Sequence, residues 1–104
     1  MYSVVELIQQ IEYLIGSIDR DQNARQTSKE IQVLNQNFSH LNRKIGELLP
    51  YHSRNLGHFG TAQSCIAQAM LRVGSGDLYT TKSELRKAKS ALMAADLKLK
   101  QALT

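Results

Sequence analysis

The sequence predicts an all-α chain, folded either as an antiparallel helical hairpin or as an up-and-down four-helix bundle. Three observations lead there. The 104 residues hold no Trp, two Phe and one Pro and are rich in Leu, Ala, Gln, Lys and Ser, so helix formers abound and strand formers are few. Apolar residues recur by threes and fours in successive segments, which is the spacing of one helix face. The stretch from Asp77 to Thr104 carries a heptad seam, with Leu78, Leu85, Leu92 and Leu99 every seventh residue and Thr81, Ala88, Ala95 and Ala102 three residues after each. Alternating large with small side chains lets two helix backbones approach closely, so this seam calls for another helix along about 40 Å at 1.5 Å per residue.

The first helix is expected over residues 3–18. Val4, Ile8, Ile11, Ile15 and Ile18 step by four and three, Leu7 and Leu14 widen the stripe, and Ser3 with Glu6 has the form of a capping box. Asp19 to Gln26 is polar without a Pro or Gly. Periodicity returns at Ile31, Leu34, Phe38, Leu41, Ile45 and Leu48. An unbroken helix would rotate about 220° between Ile18 and Ile31 and turn the second stripe away from the first. A new helix over 27–49 is therefore expected, begun by the capping box Thr27-Ser28-Lys29-Glu30 and ended by Pro50.

Residues 50–60 read as a central loop. Thr61 then caps a third helix over 61–73, in which Ala62, Ile66, Ala69, Met70 and Val73 share a face. Gly74-Ser75-Gly76 stops it, and Asp77 caps the last helix, 77–103. One domain, 1–104, accounts for the whole chain.

Charge is uneven. Residues 1–52 carry five Lys or Arg against six acids, and residues 53–104 carry eight against three, so the two halves can attract each other. No apolar run approaches the eighteen or so residues of a membrane span. No basic leader precedes an apolar run at the N-terminus, and Glu6 interrupts it. The single cysteine, Cys65, fits a reducing compartment, so a cytoplasmic location or export without a cleavable signal peptide is expected.

The central loop concentrates reactive side chains: Tyr51, His52, Arg54, Asn55 and His58. Arg54-Asn55-Leu56-Gly57-His58 resembles the Arg-Asn-plus-His signature of HEPN ribonucleases, with a shorter gap before the His and two glycines alongside. Loop residues of these types commonly cap helix ends instead. His52, His58 and Cys65 lack the paired spacing of a structural zinc site, and no carboxylate pair, nucleophile elbow or phosphate loop occurs, so neither a cofactor, a metal nor an enzyme is expected. Lys82, Arg86 and Lys89 flank the last seam and can reach acids on a facing helix or phosphates. Glu84 and Asp96 interrupt that patch and no aromatics interleave, which makes a nucleic-acid role the second choice.

Met93 and Leu97 project from the last helix on the side away from Leu92 and Leu99, and Ala91 and Ala94 broaden the strip. Two apolar faces imply a helix sandwiched within its own bundle or between its bundle and another chain.

In plan, the chain resembles the small helical-hairpin proteins of type VII secretion: about a hundred residues, two helical arms and a break near the middle. Leu56-Gly57 and Phe59-Gly60 stand where that family has a Trp-x-Gly turn, and Tyr79 is followed four residues later by Ser83 rather than an acid. The resemblance implies helix-to-helix pairing and a role as an adaptor or targeting partner of a secreted effector. The expected function is thus non-enzymatic binding to a second copy or a larger helical partner. The surface expected to do it is Ile8, Ile11, Ile15, Leu78, Leu85, Ala88, Leu92, Met93, Ala95, Leu97 and Leu99.

Overall fold

The computed structural model describes residues 4–21, 23–48 and 57–103, and among these it holds four helices and no strand. They are α1 (Val4–Asp21), α2 (Ala24–Leu48), α3 (Gly57–Gly74) and α4 (Leu78–Leu103). Each packs on two neighbours in a closed ring, α1 on α2, α2 on α3, α3 on α4 and α4 on α1, with α3–α4 the most extensive interface. Neighbours run antiparallel. Asn37 Nδ2 donates to Gln10 Oε1 at 3.2 Å across α1–α2, and the rings of Phe38 and Phe59 lie 6.0 Å apart across α2–α3. Of the two architectures expected, the chain adopts the up-and-down four-helix bundle. Its longest dimension, 41 Å, is about the length of α4 at 1.5 Å per residue.

The stripe on α1 is centred differently from the expected one. Val4, Leu7, Ile11, Leu14 and Ile18 form its buried line, while Ile8 and Ile15 are its partly buried margin. On α2 the buried line runs Thr27, Ile31, Leu34, Phe38, Leu41 and Ile45, again by fours and threes.

Two helix starts move upstream of the expected ones. Asn23, not Thr27, caps α2: its Oδ1 accepts the amide of Gln26 at 3.2 Å, and its carbonyl accepts the amide of Thr27 at 3.0 Å. Thr27 is therefore a core residue one turn inside the helix. Likewise α3 begins at Gly57, so residues 57–60 are helical where a loop was expected. Thr61 does not cap it but returns its hydroxyl to the carbonyl of Gly57 at 3.3 Å. The extra turn seats Phe59 in the core against Phe38. α1 also runs three residues past Ile18, through Asp21. The expected Ser3 cap and the Pro50 stop lie outside the described residues.

The α3–α4 turn follows the sequence reading. Gly76 has φ 81°, the amide of Gly76 donates to Val73 O at 3.1 Å, and that of Asp77 to Arg72 O at 2.9 Å, which is the Schellman arrangement. Asp77 then caps α4, accepting the Thr80 amide at 3.0 Å and the Thr80 hydroxyl at 2.7 Å.

Along α4, Thr81, Leu85, Ala88, Leu92 and Ala95 are all fully buried, facing a line of Ala62, Cys65, Ile66, Ala69 and Val73 on α3. From Thr81 to Ala95 the heptad seam finds its partner within the chain. Leu92→Ala is expected to lower unfolding free energy by about 2–5 kcal/mol in denaturant titration, whereas Met93→Ala, next along but exposed, is expected to stay within about 0.5 kcal/mol. Gly60 is exposed inside α3 with nothing within 4 Å of an added Cβ. Gly60→Ala should therefore raise stability by about 0.5–1 kcal/mol in the same titration.

Candidate interaction surface

The residues singled out from sequence separate into two groups. Ile11, Leu85, Ala88, Leu92 and Ala95 are buried in the bundle core, and Ile8, Ile15 and Leu78 are partly buried and packed against it. Met93 and Leu97 are 54% and 60% exposed. The side chain of Leu99 lies outside the described residues. The first group binds the chain to itself, and the second faces outward.

Met93 and Leu97, the second apolar strip expected from the sequence, belong to a longer seam on α4 whose other members the sequence reading did not pick out. Positions 79, 83, 86, 90, 93 and 97 step by four and three, parallel to the buried seam but on the opposite side of the helix. Its members are Tyr79, 84% exposed, Ser83, Arg86, Ser90, Met93 and Leu97. The signal was present in the spacing, but Ser and Arg at three of the six positions conceal it from a count of apolar residues alone. Other large exposed apolar residues are Val5, Tyr13, Val33 and Leu71. Among the described residues, Met93 and Leu97 are the one such pair a single turn apart on one helix.

The α1–α4 interface sets the border of this seam. Lys82 Nζ meets Asp19 Oδ1 at 2.6 Å and Lys89 Nζ meets Glu12 Oε1 at 3.1 Å, two pairs seven residues apart on each helix. This is the attraction between the halves that the charge distribution implied. On the other border, His58 and Thr61 of α3 meet Arg86, Lys87, Ser90 and Ala91 of α4 around an open groove of about 520 Å³.

The reactive side chains do not assemble. His58 is half-buried on the first turn of α3, His40 is exposed on α2, and Tyr51, His52, Arg54 and Asn55 lie outside the described residues. Cys65 is buried among α3 packing residues, and burial, aided by the nearby Glu84 carboxylate, pushes its thiol above the ordinary value, so it is held as a neutral packing group. No three metal-ligating side chains converge among the described residues. No described helix is long and apolar enough to cross a membrane.

No family model, no curated protein and no solved structure matches this chain.

Two carboxyls at this end of the fold lie below the ordinary carboxylate range. Asp19 is lowered chiefly by its hydrogen bond from Lys82, and Asp77 by the Thr80 amide and then the Thr80 hydroxyl. A depressed folded pKa contributes stability that is present above the unfolded carboxylate value, near 4, and is lost as pH falls through the folded value. Denaturant titrations from about pH 7 down to about 2.5 should thus show stability falling below about pH 4. Asp19→Asn should flatten part of that fall, and an unchanged acid profile in the variant would contradict the assignment.

Proposed function

We propose that this chain is a non-enzymatic interaction protein whose outward α4 seam receives a helix of a larger helical partner. The observation that carries the reading is the pairing of two heptad seams on one helix, one with Thr81, Leu85, Ala88, Leu92 and Ala95 fully buried in the chain's own core and one presenting Tyr79, Met93 and Leu97 to solvent. α4 also has the weakest one-sided apolar bias of the four helices, as a helix with apolar residues on two faces must. Covering what remains exposed of Met93 and Leu97 is worth about 1–2 kcal/mol each, enough to matter to a modest interface. An adaptor whose effector docks on this face is the form of the reading that follows from the resemblance to type VII secretion partners. The alternative of a basic nucleic-acid surface is weakened by the engagement of Lys82 and Lys89 with Asp19 and Glu12.

Leu85→Asp and Leu92→Asp would place a charge in the bundle core and unfold the chain, so they do not report on an interface. Met93→Asp with Leu97→Asp does, because both sites are already solvated. The double variant should keep its stability within about 1 kcal/mol, twice the usual surface increment. Titrating isotopically labelled chain with a synthetic helix carrying a Leu/Ala heptad face and uncharged Gln flanks should shift amides at Tyr79, Arg86, Ser90, Met93 and Leu97. Those shifts should vanish in the double variant. Shifts gathered on another face, or none at all, would sink the reading.

A further inference from the structure

The outward seam differs from its buried counterpart in having a cation at its middle, and that difference describes what it binds. Resting on the interaction reading above, we propose that the α4 seam takes an acidic amphipathic helix that sets a carboxylate opposite Arg86 and apolar residues opposite Tyr79, Met93 and Leu97.

The spacing supplies the geometry. A helix laid along positions 79, 83, 86, 90, 93 and 97 meets each in turn, with large apolar side chains at both ends and Arg86 between two serines. Ser83 and Ser90 are small and Arg86 is exposed, so the donors of its guanidinium are open to an incoming helix. An Arg covered by an apolar partner would lose water without a replacement, whereas a carboxylate can take two parallel hydrogen bonds from it. A single polar pair inside an otherwise apolar seam also fixes the register of the incoming helix.

The surrounding charge has the same sign. Among the described side chains α4 carries Lys82, Arg86, Lys87, Lys89 and Lys98 against Glu84 and Asp96. On the α1 border Asp19 and Glu12 hold Lys82 and Lys89, Arg86 adds to the positive field on Asp19, and Asp96 lies beside Met93; on the α3 border Glu84 holds Lys87, next to His58, with Lys98 exposed beyond. Those carboxylates offset only part of the basic surplus. A second copy would place the same surplus against itself. In the antiparallel pairing that sets Tyr79 against Leu97, the two Arg86 side chains come within about one turn of each other across the symmetry axis. Like charges facing across an interface disfavour that partner, and acidic flanks favour the other.

Two synthetic three-heptad helices test the assignment. They share one Leu/Ala face and differ only in carrying Glu or Lys at the central seam position and on the flanks. Measured by fluorescence anisotropy at low salt, the Glu helix should bind the chain at least about tenfold more tightly than its Lys twin. Arg86→Glu, checked for an intact helical spectrum, should abolish or reverse that preference, and Arg86→Lys should retain part of it. Equal binding of the two helices, binding of neither, or a preference untouched by Arg86→Glu would overturn the acidic partner. So would a stable dimer of the free chain, seen by light scattering, that excludes the Glu helix. Equal binding that disappears in the Met93→Asp, Leu97→Asp variant would overturn it while leaving the interaction reading in place.

Discussion

The close approach of α3 and α4 is the constraint on which the rest of the bundle depends. Ala62 and Ala69 on one helix and Ala88 and Ala95 on the other are fully buried and take up little space, so the two backbones share the most extensive interface in the molecule. Leu85, Leu92 and Ile66 are fully buried on the same two helices. Most of the bulk comes from the other half: Leu7, Ile11 and Leu14 from α1 and Ile31, Leu34 and Phe38 from α2 are six of the nine large apolar side chains that are fully buried among the described residues, the other three being Ile66, Leu85 and Leu92. A core of native density needs that complementarity, since small residues on all four helices would leave voids and large ones would hold the helices apart. Phe59 bridges the halves through Phe38, which accounts for the extra turn at the start of α3.

Electrostatics finishes what packing begins. Each exposed lysine–carboxylate pair between α1 and α4 contributes little to stability. The matched seven-residue repeats of acids on α1 and lysines on α4 nevertheless favour one sliding register over those a turn away, where Lys82 and Lys89 would lose their acids. Closing the ring in that register turns Arg86, Met93 and Leu97 outward together. The outer seam is thus a geometric by-product of the inner one: with the small-residue face committed to α3, the opposite face of α4 has no place in the bundle.

Much of this was readable in the residues. The apolar repeats located all four helices, Gly74-Ser75-Gly76-Asp77 located the α3–α4 turn, and the unequal charges of the halves anticipated the α1–α4 pairs. The departures have local causes. Asn23-x-x-Gln26 and Thr27-x-x-Glu30 are two start signals four residues apart, and burial decided between them, because Thr27 falls on the same face as Ile31 and Leu34. Gly57 and Gly60 suggested a loop, yet the energy of seating Phe59 exceeds the modest helix penalty of two glycines. The centre of the α1 stripe shifted from Ile8 and Ile15 to Leu7 and Leu14 because periodicity gives the width of a face, while its midline depends on where two neighbours sit. At the candidate surface, Met93 and Leu97 were readable as a second apolar strip, but its continuation through Ser90, Arg86, Ser83 and Tyr79 emerges only once the inner seam is assigned to the chain itself.

The brevity of two of the connections bears on how the molecule forms. α1 ends at Asp21 and α2 begins at Ala24, and α3 ends at Gly74 and α4 begins at Leu78. Each pair is an αα-hairpin whose contacts close over a small stretch of chain, so its loop entropy is low and its assembly belongs to the fast, local end of the folding spectrum. Among the described residues, the α1–α4 interface joins the first helix of the sequence to the last. The bundle can therefore be pictured as two quickly made halves meeting late along a seam of opposite charge. In that picture the inner face of α4 is filled by α3 before α1 closes on its flank.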